Sequence, residues 1–175
     1  MTTILAVAAG ILACLCLSAF CSSAEMSYSS CNAVRLENLR DDGSPRAGAA
    51  VKITERFDDA LSAILIGNNL ANIAASALGS VFVILLLGSD KYAWASTVIL
   101  TVLVIIFGET IPKITAKKAA NTLSLRYAYA VRTMMIVLKP LVWIVVGLTH
   151  LITGREKPEE ETDGEEAVEE LQSII

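Results

Sequence analysis

Charged residues are absent from Met1 to Ala24 and again from Ala60 to Ser89, and Tyr92 to Gly108 forms a third uncharged stretch. A helix rises about 1.5 Å per residue and the hydrocarbon core is about 30 Å thick, so roughly 20 apolar residues cross it. The first two stretches meet that length. The third meets it by continuing past Glu109 toward Pro112, which predicts three spanning helices. A fourth apolar stretch, between Arg132 and His150, is cut by Lys139–Pro140 into Thr133–Leu138 and Leu141–Thr149. Proline inside a helix removes a hydrogen bond and bends the axis. Thr133–Ile152 is therefore expected to lie along the interface or re-enter, with a fourth crossing as the competing arrangement.

Two shorter helices are predicted over residues 33–58, around the turn Asp41-Asp42-Gly43-Ser44-Pro45. Val34, Leu36 and Leu39 give the first an apolar side, and Val51, Ile53 and Phe57 the second. The expectation is a hairpin packed at the membrane surface. Near the end of the chain, Asp163 and Glu166 have capping-box spacing. Ala167, Val168, Leu171, Ile174 and Ile175 then share one helical face. A helix beginning there implies a longer parent protein. The predicted organisation is a membrane domain over 1–154, then an acidic linker and the start of a cytoplasmic helix over 155–175.

Composition sharpens this reading. The chain is 54% hydrophobic and 18% charged, against about 25% charged in a soluble domain, and its mean hydropathy is +0.60. Residues 155–175 hold nine of the 18 acidic residues and two of the 14 basic ones, which leaves 1–154 with a net charge of +3. These figures exclude a conventional soluble enzyme, a secreted disulfide scaffold and a nucleic-acid binder with a basic face. The start Met-Thr-Thr-Ile-Leu-Ala lacks the positive charge of a signal peptide, so the first helix is read as retained. Arg35, Arg40, Arg46, Lys52 and Arg56 follow the first span, and Lys113, Lys117, Lys118 and Arg126 follow the third. Only Lys91 lies between the second and third. The positive-inside bias then places 31–59 and 113–132 in the cytoplasm and the N-terminus and Asp90–Lys91 outside.

Polar residues inside the apolar stretches are the candidate chemistry, because such groups are costly in lipid and face a bundle interior or a hydrated path. Ser18, Ser22 and Glu25 share one face of the first helix. Asn68, Asn72 and Ser76 share one face of the second, flanked by Gly67, Ala71, Ala75 and Gly79, small enough for a close neighbour. Pro112 lacks an N–H, which in an α-helix leaves the Gly108 carbonyl without its donor, beside Glu109. Hydroxyls, amides, a carboxylate and a carbonyl form an all-oxygen set that suits Mg²⁺, Ca²⁺ or Na⁺ rather than Zn²⁺ or copper. Plainer roles stand beside this one: serines bonding back to carbonyls, asparagines joining helices, and Glu109 ending a helix and pairing with Lys113. Cys14, Cys16, Cys21 and Cys31 have no zinc spacing, and His150 is assigned a surface role. With no nucleophile–base pair, phosphate-binding glycine loop or Cys-x-x-Cys, the chain does not read as an enzyme.

Three stretches, Leu17-Ser-Ala-Phe-Cys-Ser-Ser-Ala-Glu25, Leu65-Ile-Gly-Asn-Asn-Leu-Ala-Asn72 and Phe107-Gly-Glu-Thr-Ile-Pro-Lys113, resemble the signature motifs of the cyclin M (CNNM)/CorC transmembrane domain, in the family's order and spacing. The resemblance covers about residues 4–153. It implies an all-α homodimeric membrane domain with three spanning helices and a juxtamembrane belt, joined through an acidic linker to cytoplasmic CBS domains. It also implies Mg²⁺ transport at the plasma membrane, generally efflux, with proposed coupling to Na⁺. Ser18, Ser22, Asn68, Asn72, Gly108 and Glu109 match motif positions around the ion site, with Glu25, Ser76 and Pro112 in support. Ser22-Ser23-Ala24-Glu25 departs from the Ser-Gly-Ser-Glu common in bacterial relatives, and Asn69 is less typical than Asn68 and Asn72. Alternative functions are a membrane-anchored Mg²⁺ sensor acting on another transporter, and a carrier for Na⁺ or another small cation. No segment resembles a CBS domain, so no nucleotide site is assigned.

Overall fold

In a computed structural model, residues 1–153 are described, and every regular element among them is helical. The order is α1 (Thr2–Ser30), α2 (Ala33–Asp41), α3 (Pro45–Thr54), α4 (Phe57–Leu87), a 3₁₀ turn at Asp90–Tyr92, α5 (Ala93–Leu103), a π-helical segment (Val104–Thr110), α6 (Ile111–Lys118), α7 (Ala120–Val137) and α8 (Lys139–Thr153). The capping box and helix expected near the C-terminus lie outside the described residues, as does the linker.

Three helices are long and apolar enough to cross a membrane: Thr2–Ser30, Phe57–Leu87 and the continuous run Asp90–Lys118. Only 11 to 22% of their most apolar windows are buried. Leu12, Leu70, Ile73, Val98 and Ile99 all point outward. A soluble protein would not leave such a surface wet, whereas a lipid-facing one requires it. Between α4 and α5 the approach is close: a Cβ on Gly79 would run into the Leu100 side chain.

Local chemistry sets the hairpin as its sequence predicts. Asn32 caps α2 by accepting from the Arg35 N–H at 2.9 Å. Gly43 takes the left-handed φ of +87° that the turn needs. Ser44 caps α3, which opens on Pro45. Leu36, Val51 and Ile53 are buried in one core with Cys21, Tyr28, Ile64 and Val131, while Val34 points outward. The hairpin is thus fastened to α1, α4 and α7.

Helix α7 runs antiparallel to α1. The Asn32 N–H donates to Asn121 Oδ1 at 2.8 Å, and the Tyr28 hydroxyl to the Ser124 carbonyl at 2.7 Å. Further along, Phe20 and Tyr127 meet edge to face at 5.1 Å, and a Cβ on Gly67 would lie 3.0 Å from Met134 Sδ. The helix then stops at Leu138 and restarts at Lys139–Pro140, where the sequence placed the break. Met1–Val142 form one compact unit, and the described residues that follow, 143–153, belong to a second.

Candidate functional site

The candidate residues lie at matching heights. Ser18 is twelve residues before the end of α1, Asn68 eleven after the start of α4, and Glu109 nine before the end of α6. At 1.5 Å per residue these are about 14–18 Å from the belt-side ends of the three spans. Each sits well inside the layer where unpaired polar groups are costly.

They form one hydrogen-bonded chain across three helices. Ser18 Oγ donates to Asn68 Oδ1 at 2.8 Å, Asn68 Nδ2 to Glu109 Oε1 at 3.3 Å, and Asn72 Nδ2 to the same Oε1 at 3.2 Å. Ser18 is fully buried and Asn68 nearly so. Asn69, one position on, is exposed, because a 100° step per residue turns it off the shared face. Two buried oxygens, Ser22 Oγ one turn along α1 from Ser18 and Asn72 Oδ1, have no hydrogen-bond partner among the described residues. Ser76 does not join the chain; its carbonyl accepts from the Ser80 hydroxyl at 3.3 Å.

At Gly108 the third span comes close to α1. A Cβ there would stand 2.8 Å from Ser18 Oγ and 3.3 Å from Ser18 Cβ. The sequence foresaw an α-helix broken at Pro112, and here the structure corrects it. The helix continues, widened to π geometry over Val104–Thr110, and the Ile111 N–H bonds five residues back to the Ile106 carbonyl. In that register the carbonyl that proline leaves without its donor is Phe107, one residue before the expected Gly108. The physical reason is that bonds reaching five residues back, not four, set the missing Pro112 donor opposite a different carbonyl.

Glu109 does not pair with Lys113, as the plainer reading had it. Lys113 Nζ donates to Glu25 Oε1 at 3.1 Å and lies 3.0 Å from Oε2. Glu25 is therefore occupied by a cation of the protein itself, and among the described residues Glu109 is held by two neutral amides alone. Among the described residues no three His, Cys, Asp or Glu side chains gather into a metal cluster. Any cation held here meets one carboxylate and several neutral oxygens.

The chain matches the model of the cyclin M transmembrane N-terminal domain over residues 9–175. It belongs to that family. The cyclin M domain is 31% identical over 161 residues to the UPF0053 inner membrane protein YfjD of Escherichia coli (strain K12), covering 91% of this chain and 37% of that protein. It is 38% identical over 132 residues to a UPF0053 protein of Haemophilus influenzae, covering 75% and 31%. With the UPF0053 protein sll1254 of Synechocystis it shares 32% over 143 residues, covering 81% and 41%. The matched part of the chain thus spans 31 to 41% of the length of these curated relatives.

Within the cyclin M domain, sequence reasoning missed the contribution of Lys113, whose role is to neutralise Glu25. It lies 88 residues from its partner, and no local spacing signals such a pair. The Ser23 hydroxyl, 3.3 Å from the Tyr127 hydroxyl, also joins α1 to the belt rather than to the site.

Proposed function

We propose that this domain carries Mg²⁺ across the plasma membrane through the polar contact between α1, α4 and the π segment of the third span. The observation that supports this most is the presence of unpartnered buried oxygens, Ser22 Oγ and Asn72 Oδ1, on the same helices as a carboxylate's amide partners, together with Glu109, which has no basic partner among the described residues. A buried, acceptor-rich cluster at this depth suits a cation as its partner. Ser18, Ser22, Asn68, Asn72 and Glu109 supply the ligands, with a carbonyl of the Phe107–Gly108 turn.

The amide orientations suggest how the site exchanges its ion. Both asparagines now turn N–H groups to Glu109. When Mg²⁺ arrives, the carboxylate turns to the ion, and each amide rotates about its last torsion to present oxygen. Mg²⁺ sheds water reluctantly, so several neutral oxygens must share that work with one charge. A single uncompensated carboxylate also matches a monovalent ion, and this favours Na⁺ as the coupling ion that occupies the same oxygens in alternation. The wider reading is a homodimer that exports Mg²⁺, with the N-terminus outside and the belt facing the cytoplasm. In it, cytoplasmic CBS domains follow the linker of the full-length protein.

The test is Mg²⁺ flux into or out of liposomes containing only the full-length protein, followed by an entrapped Mg²⁺ dye across imposed Mg²⁺ and Na⁺ gradients. Flux driven by either gradient supports transport. Ion binding without flux supports the sensor instead.

A further inference from the structure

Two clefts on the surface of α3 and α7 share Tyr129 in their lining. One, of about 420 Å³, is lined by Arg40, Lys52 and Arg132, with Glu55 as its one acidic residue. The other, of about 590 Å³, is lined by Arg46 and Arg126. Arg40 is partly spent on its neighbour Asp41, at 3.1 Å. Arg46, Lys52, Arg126 and Arg132 have no ion-pair partner among the described residues. Each cleft therefore carries a net charge of +2 from its lining.

The height of these clefts gives the charges their meaning. Helix α7 climbs along α1 from Asn32 at its Asn121 end to Phe20 at Tyr127. Helix α1 has 29 residues, about 43 Å against about 30 Å of hydrocarbon, so its belt-side end stands among headgroups. Along α7 the outward face changes character. Arg126, Tyr129 and Arg132 are exposed at three-residue intervals, and Ile136 and Val137, 64% and 67% exposed, follow them. That order, basic and tyrosine and then aliphatic, is the passage from headgroup to hydrocarbon. An arginine held at this level extends its guanidinium to a phosphate.

We propose that the two clefts sharing Tyr129 bind the phosphates of anionic lipid headgroups, fixing the belt to its leaflet. The ligand chemistry is a phosphate diester with net negative charge, and the source is lipid rather than a soluble phosphate, because both clefts lie beside a lipid-facing helix. Tyr129, half exposed, is common to the two sites and offers its ring to the glycerol region.

Full-length protein in a neutral detergent would be given phosphatidylglycerol, phosphatidylcholine or soluble glycerol phosphate, with retained lipid counted by native mass spectrometry. Phosphatidylglycerol is expected to be retained in preference to phosphatidylcholine, and glycerol phosphate is expected not to displace it. Arg126→Gln/Arg132→Gln should weaken phosphatidylglycerol binding roughly ten- to thirty-fold, while Lys91→Gln, in the turn between α4 and α5, leaves it unchanged. Should the double variant fail to fold, Lys52→Gln serves in its place with a smaller loss, and the wild-type lipid preference stands as an independent readout. Equal retention of the two lipids, unaltered retention in the variants, or displacement by glycerol phosphate would overturn the proposal.

Discussion

Lys113 reaches across to Glu25 on α1, 3.1 Å from its Oε1, although Glu109 lies only four residues before it in sequence. Among the described residues this choice leaves Glu109 with amide N–H groups alone, and so leaves its negative charge for an ion. Glu25→Gln removes the partner and frees the ammonium to turn to Glu109, where it competes with the cation. Mg²⁺ affinity should fall roughly tenfold, the scale of one nearby unit charge. Glu25→Gln/Lys113→Gln should recover most of it, by titration calorimetry on the purified protein. A double variant as weak as the single one would show that Glu25 acts on the ion directly.

Gly108→Ala tests the close approach of α1. The added methyl meets Ser18 Oγ at 2.8 Å, a distance that forces the serine or its helix to move. Overpacking of this kind costs about 1–3 kcal/mol, and it also strains the Ser18–Asn68 bond. Thermal unfolding in detergent should shift downward and Mg²⁺ affinity should drop together. Pairing with Ser18→Ala, which removes the clashing oxygen, should return part of the lost stability.

Pro112→Ala restores an N–H at the end of the π segment. The freed donor can then bond a carbonyl of the Phe107–Gly108 turn and draw the helix back toward α geometry. Ion binding should weaken while overall helix content, read by circular dichroism, stays the same. An unchanged Mg²⁺ affinity would remove the backbone carbonyl from the ligand set.

The three spans were legible from length and apolarity alone, because lipid demands an unbroken uncharged run. The hairpin was legible because Gly43 admits the left-handed turn, Ser44 is a good helix cap and Pro45 suits the first helical position. The Leu138 break was legible because Pro140 cannot continue a helix. Spacing by four also placed Ser18 with Ser22 and Asn68 with Asn72 on buried faces. What stayed hidden depends on partners distant in sequence. Nothing near Lys113 announces Glu25, and nothing near Tyr28 announces the Ser124 carbonyl, which accepts its hydroxyl at 2.7 Å. The π register was hidden for another reason. Proline specifies that a donor is missing, and only packing against Ser18 decides how the chain absorbs the loss.

The orientation proposed from the Lys and Arg distribution is open to direct measurement. A cysteine placed at Asp90 in a background free of Cys14, Cys16, Cys21 and Cys31 should react with an impermeant maleimide from outside intact cells. One placed at Glu55 should react only after permeabilisation. The opposite pattern would invert the proposed topology.

Glu109→Gln keeps the shape of the side chain and removes its charge, and Asn72→Ala removes the amide beside it. Neither change disturbs the apolar core around Cys21, Ile64 and Val131, so both variants should remain folded. The most direct measurement is Mg²⁺ flux in liposomes containing wild-type, Glu109→Gln or Asn72→Ala full-length protein. Flux should be nearly abolished in Glu109→Gln and reduced in Asn72→Ala, since charge dominates the hold on a hard divalent ion. Wild-type rates in both variants would place the ion path elsewhere and leave these residues as bonds between helices.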